Sequence, residues 1–442
     1  MPKAVWTLRQ ATLFAGLSVI TLCLAAACTT PQTVETTQST AVVYEGARLI
    51  VGDGGEPIED AAFVVEEGRF TQVGSRGQLN APPGALHVDL NGKTVMPAII
   101  DTHKHLTNRP EANTHEALVD ELQRLAYYGV GVATSLGRDA GDLVFQVREE
   151  TIPGAARLRT AGRGISAPEP GRNEIPYWIT SEDEARMAVQ ELAERNVDLV
   201  KIWVDDREGL VTKLSPNLYS SIIDEAHKHN LRVTAHTFAL EDVKGLLRSG
   251  IDAFAHQGWD GNVDEELINL FRERPNVIVT PAQFGGAVAG DMNWLSESVP
   301  AEQLQQLQAA STDRSADRPG GHPRQEFEIW AGNLARLQAA GVRIAFGTDS
   351  GDPWSPHFEM AAMVAAGMTP AQVIVAATGT SAELLQLDDV GTIEAGKSGD
   401  FVVLDANPLE DITNTRRIFA VYLGGTEVDR AGLRARWIGA QQ

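Results

Sequence analysis

Two cysteines among 442 residues are few, and both Cys23 and Cys28 fall in the opening segment of the chain. Everything after Cys28 therefore forms no disulfide and offers no thiol for nucleophilic or redox chemistry. Basic residues are also short: 37 Lys and Arg face 59 Asp and Glu, a formal net charge of -22. That balance argues against a nucleic-acid or anionic-lipid surface as the main partner and leaves a small-molecule substrate as the expected one. No internal sequence repeat is visible, and oligomeric state is not legible.

The first residues differ in kind from the rest. Lys3 and Arg9 precede an uncharged apolar run, Ala11 to Ala27, that ends in small residues before Cys28, the pattern of a secretory signal over residues 1–27. The segment LAAAC resembles a bacterial lipoprotein box, which implies lipidation of Cys28, secretion to the periplasm and a membrane contact made only through that lipid. An uncleaved anchor and simple cleavage without lipid are the alternatives. Residues 28–41, rich in Thr, Gln and Ser, read as a flexible tether.

The stretch with most chemistry is Met96 to Leu106, MPAIIDTHKHL, where an apolar run ends in two histidines spaced i, i+2. On a strand that spacing puts His103 and His105 on one face and Lys104 on the other. The continuous apolar run Val95 to Ile100 fits a strand buried on both sides, as in parallel α/β sheets. Two imidazoles at the carboxyl end of such a strand make half of a metal site.

Around this stretch the chain alternates. Strands are expected at Val95 to Asp101, Gly131 to Leu136, Leu158 to Ile165, Leu199 to Val204, Arg232 to His236, Ala253 to His256, Val277 to Pro281 and Arg343 to Gly347. Helical patterns lie between and after them, from Thr114 to Tyr128 through to Pro370 to Leu385. The fold class is therefore α/β, with the strand count of a (β/α)8 TIM barrel, which alone takes about 250 residues. Short β-like runs before Lys93 and again after Gly391 are each too small for a core, so both chain ends are expected to combine in one small β-sandwich. Gly285 to His322 reads as a long Gly/Pro-rich loop.

Strand ends then have to be taken together. LVKIWV carries Lys201, VTAHT carries His236, DAFAHQG carries His256 and IAFGTDSG carries Asp349. In a barrel these ends converge on one mouth, adding to His103 and His105. Leu199, Lys201 and Trp203 alternate onto one face with apolar neighbours, a setting that favours a neutral lysine amine.

The order HxH, Lys, His, His, Asp resembles the amidohydrolase superfamily, and the segments LNGKTVMPAIID, DLVKI and GTIEAGKSGDFVVLDANPLEDI extend the likeness over residues 42–430. Within it the chain looks most like the imidazolonepropionase-like and Xaa-Pro dipeptidase (prolidase-like) group. The resemblance implies a composite sandwich (residues 42–97 and 386–430) beside a barrel (residues 98–385) that holds two divalent ions, zinc being expected. It implies His103, His105 and Asp349 on one ion, His236 and His256 on the other, and Lys201, carboxylated by carbon dioxide, bridging both. Such a donor set also admits manganese, cobalt or iron.

The implied activity is cleavage of the amide bond of a dipeptide or N-acyl amino acid by attack of a metal-bound hydroxide, with Asp349 moving the proton to the leaving amine. The same hydroxide would attack a cyclic amide, lactone, carbamate or organophosphate ester. A deaminase, and a non-catalytic lipoprotein using the barrel as a binding scaffold, are less favoured; the complete ligand set argues against the latter. The pattern departs from the dipeptidase-like group in two places. TAGRGISAPEPGR stands where a TGGH-like segment is usual, and Phe238 stands where a second histidine often follows the fifth strand. Arg163, Arg172 or Tyr177 is therefore a candidate for receiving a substrate carboxylate, with Trp203 and His322 as further substrate contacts.

Overall fold

The computed structural model describes residues 40–107, 110–171, 174–282, 291–314 and 324–439. The expected signal and its lipidation at Cys28, almost all of the tether, Arg172 and His322 lie outside the described residues.

The chain begins with β1 (Val42–Leu49), β2 (Ile58–Glu66), β3 (Arg69–Ser75), β4 (Leu86–Asp89) and β5 (Thr94–Pro97). Strands and helices then alternate. Parallel β6 (Ile99–Lys104), β7 (Val130–Ser135) and β8 (Arg157–Thr160) form one sheet. A second parallel sheet contains β9 (Ile165–Ser166), β10 (Tyr177–Trp178), β11 (Val200–Val204), β12 (Val233–Thr237), β13 (Ala253–Phe254), β14 (Ile278–Val279) and β15 (Arg343–Ile344). Its order is β10-β9-β11-β12-β13-β14-β15. Backbone bonds join the two sheets at both sides: Asp198 N–H donates to Thr160 O at 2.9 Å, and Thr102 N–H donates to Phe346 O at 3.0 Å.

The strands of this central part are buried on both faces, β7, β11 and β12 along their whole length, which is why they read as unbroken apolar runs. Helices cover them through apolar stripes. His115–Tyr127 starts at Thr114, whose hydroxyl accepts from Ala117 N–H, and buries Leu118, Leu122 and Leu125. Glu182–Glu194 starts with a capping box between Ser181 and Glu184 and buries Ala185, Val189 and Leu192.

Two stretches differ from the sequence expectation. The run Leu158 to Ile165 is two strands rather than one, because Gly162 and Gly164 adopt φ of 62° and 68° and turn the chain between β8 and β9. The stretch expected as a loop from Gly285 contains, in its described part, a helix at Ala301–Arg314, where AEQLQQLQAA supplies strong helix formers.

At the end of the chain come β16 (Phe401–Leu404), β17 (Ile418–Leu423) and β18 (Thr426–Glu427). β16 pairs antiparallel with β5, Val402 opposite Met96, so both chain ends share one eight-stranded sheet. Tyr44, Phe63 and Phe70 from the first end pack on Phe401 and Tyr422 from the second, with Phe401 and Tyr422 stacked at 4.5 Å and Tyr44 and Phe63 at 5.0 Å. Neither end has enough apolar surface to bury alone. Among the described residues no helix is long and apolar enough to cross a membrane.

Candidate metal centre

β6 ends at Lys104, so His103 lies on the strand and His105 just beyond it, their rings edge to face at 5.3 Å. Asp349, after β15, puts Oδ1 3.1 Å from His105 Nε2 and 3.4 Å from His103 Nε2. Its Oδ2 lies 3.7 Å from His256 Nε2, and the His256 ring stands 4.7 Å from those of both His103 and His236. Parallel strands carry side chains at their carboxyl ends to one side of a sheet, which is how residues from β6, β12, β13 and β15 meet.

The tautomers follow from the partners. His103 Nδ1 lies 3.1 Å from Ala255 O and His256 Nδ1 lies 3.1 Å from Ala282 O. A carbonyl only accepts, so Nδ1 carries the proton and Nε2 presents a lone pair. Burial holds both imidazoles well below their ordinary pKa and therefore neutral. Burial works against charge on Asp349, yet the imidazoles facing it hold its carboxyl well below the usual carboxylate range. His103 Nε2 and His256 Nε2 thus face the Asp349 carboxylate across 3.4 and 3.7 Å. Acceptors so placed repel unless a cation sits among them; the donors of His103, His105 and Asp349 converge closely enough for one ion.

Lys201 supplies the second anomaly. On β11 it is fully buried, its Nζ has no hydrogen-bond partner among the described residues, and it lies 5.4 Å from the Trp203 ring. Burial brings its ammonium down to about 7, with Asp349 opposing. An orphaned buried amine is costly as it stands. Among the described residues the donor set that converges for an ion is His103, His105 and Asp349, with the Lys201 amine buried in the same site.

His236 is oriented from behind. Its Nε2 lies 3.2 Å from Asp205 Oδ2, and Asp205 is in turn bound by the Arg207 guanidinium. Burial lowers His236 to about 4 against the pull of Asp205. Arg207 reaches Glu169 as well, at 3.6 Å. Above these groups opens a cavity of about 240 Å³, whose wall includes Arg138, Glu169, Trp203 and Arg207.

The structure therefore brings His103, His105, Lys201, His236, His256 and Asp349 together, with Trp203 at the wall. Arg163 and Tyr177 stand elsewhere: the guanidinium lies 4.1 Å over the Tyr177 ring, its Nε donates to Ile175 O, and Arg163 lines a different cavity with Glu191 and Arg195. Sequence reasoning missed Asp205, Arg207, Glu169 and Arg138. Asp205 was reachable, since it follows the end of β11 directly.

The model of the family described as "Amidohydrolase family" matches residues 94–428. The ochratoxinase of Aspergillus niger is 26% identical, covering 84% of this chain and 82% of its own. The imidazolonepropionase of Deinococcus radiodurans is 28% identical, covering 84% of this chain and 92% of its own. Among solved structures, a Xaa-Pro dipeptidase with methionine bound in its active site superposes with a TM-score of 0.70 over 88% of this chain and 99% of that one, at 20% identity, a likeness of fold.

Proposed function

The chain belongs to the amidohydrolase family, and from that premise we propose that it is a binuclear metal-dependent hydrolase that cleaves the amide bond of a dipeptide or an N-acyl amino acid. The observation that carries this reading is Lys201: a fully buried lysine, without a hydrogen-bond partner among the described residues, in the site where His103 and His256 face the Asp349 carboxylate. His103, His105 and Asp349 would hold one ion, His236 and His256 the other, and Lys201, carboxylated by carbon dioxide, would bridge them. Bound divalent ions, zinc in the first instance, supply Lewis acidity and lower the pKa of water enough to give hydroxide near neutral pH.

The protein's own residues do the rest. Asp349, kept ionised, accepts a proton from the attacking water and delivers it to the leaving amine. Burial beside Trp203 brings Lys201 down to about 7, which supplies the neutral amine that carbon dioxide requires. His103 and His256 are fixed through their Nδ1–H bonds to Ala255 and Ala282, so neither ring has to turn to ligate.

The same reading takes the two parallel sheets as arcs of one (β/α)8 barrel, supported by the backbone bonds at both seams, and the terminal sheet as part of a composite sandwich. It places the enzyme outside the cytoplasm, held to a bacterial membrane by a lipid on Cys28. Metal content tests the centre: the full-length chain loaded with zinc and bicarbonate should bind two ions, and Lys201→Met at most one. Two ions retained by the variant would overturn the bridging role.

A further inference from the structure

We propose that Arg138 reads the substrate's carboxylate, making it the residue that selects amides of amino acids over neutral amides; this rests on the reading given above. The cavity over the metal centre holds two guanidinium groups, and they are not equivalent. Arg207 shares with Arg138 a buried Nε without a partner among the described residues, but its terminal nitrogens are committed: they bind Asp205 and lie 3.6 Å from Glu169 and 3.4 Å from His236 Nε2. Arg138 faces the same cavity, and among the described residues its buried Nε has no hydrogen-bond partner. Buried polar atoms are normally satisfied, and a guanidinium at a cavity wall with no partner among the described residues points to an acceptor that arrives with the substrate. A guanidinium meets a carboxylate through two parallel N–H donors, a geometry that neutral groups match poorly.

The position of Arg138 is fixed from both neighbours. Gly137 has φ of 85°, and a Cβ there would sit 2.6 Å from Lys201 Cγ and 2.9 Å from Trp203 Cη2, so the backbone at this point presses directly on the lysine. Asp139 is buried and accepts from the hydroxyls of Thr107, Ser135 and Thr160, the last two at 2.6 Å. Arg138 is thus presented beside the lysine by a turn clamped on each side. An anchor so placed holds the carboxylate of an amino acid while its amide bond lies over the metal ligands.

The test uses the zinc-loaded full-length chain and two probes without an amide bond, 3-phenylpropanoate and 3-phenylpropan-1-ol, with dissociation constants read by calorimetry. Wild type should bind the acid at least about tenfold more tightly than the alcohol, Arg138→Gln should bind them equally, and Arg138→Lys, which keeps the charge without the fork, should lose most of the preference. Absence of acid preference in wild type, or wild-type preference in Arg138→Gln, overturns the proposal. Should Arg138→Gln fail to fold, a wild-type preference in Arg138→Lys overturns it too. Because the readout is binding, the two readings fail separately: wild type that hydrolyses amides without acid preference removes this role alone, whereas acid preference erased in Arg138→Gln supports the anchor even where no amide is cleaved.

Discussion

The main-chain N–H of Asp349 donates to the main-chain carbonyl of His103 at 2.7 Å, fastening the segment after β15 to the histidine pair at the end of β6. The contact demands an unusual backbone: Asp349 sits at φ of 47°, and Gly347 lies so close that a Cβ there would meet His103 Cβ at 2.8 Å. Left-handed residues other than glycine cost free energy and concentrate at functional sites.

Asp349→Asn tests the proton transfer without disturbing that backbone, since asparagine tolerates the left-handed region. We expect kcat/KM to fall by about 10²- to 10⁴-fold, the usual contribution of a positioned acid or base, with the thermal midpoint little changed. Steady-state kinetics on an N-acyl amino acid measure it, and an unaltered kcat/KM would remove Asp349 from the proton path.

Asp205→Asn tests the support of His236. Asp205 touches the imidazole at 3.2 Å and is itself held by Arg207, so the variant should lower zinc affinity by about 10- to 100-fold while leaving the fold intact. Competition with a zinc-binding dye reads the affinity; an unchanged value would make the Asp205–His236 contact incidental.

Much of this centre was legible because its ligands lie at ends of strands buried on both faces. There the side-chain alternation of a strand fixes direction, so HxH at 103 and 105, and Lys201 with Trp203, declare a common face. The same logic fails one to three residues past a strand, where Asp205, Arg138 and Arg207 stand, because φ and ψ there follow no period. Arg207 itself has φ of 56°. Arg163 and Tyr177 were expected as carboxylate receivers because the segment after the third strand departs from the TGGH-like pattern, and the sequence held no sign that the guanidinium would lie over the Tyr177 ring instead. The joining of the chain ends was legible as a deficit of core, whereas the register of β5 on β16 depends on a pairing distant in sequence.

A buried histidine away from the metals gives a pH prediction. His357 is buried with Nδ1 3.0 Å from Thr415 Oγ1 and Nε2 3.0 Å from Tyr128 O, and burial lowers it from 6.5 to about 3. Between those values the unfolded chain binds the proton and the folded chain does not, so stability is lost as pH falls from 6.5 toward 3. His357→Gln removes one such proton, and the slope of unfolding free energy against pH should drop by about 1.4 kcal/mol per pH unit in that window. Denaturant melts of the metal-free chain at several pH values check it; an unchanged slope would show that His357 is not the titrating group.

The measurement that bears most directly on the account is amine release by the full-length chain, loaded with zinc and bicarbonate, from a panel of dipeptides and N-acyl amino acids, with lactones, cyclic imides, carbamates and phosphotriesters assayed beside it. The account predicts turnover in the first panel, abolished in Lys201→Met. Turnover confined to the second panel, or none in either from a chain with two ions bound, would contradict it.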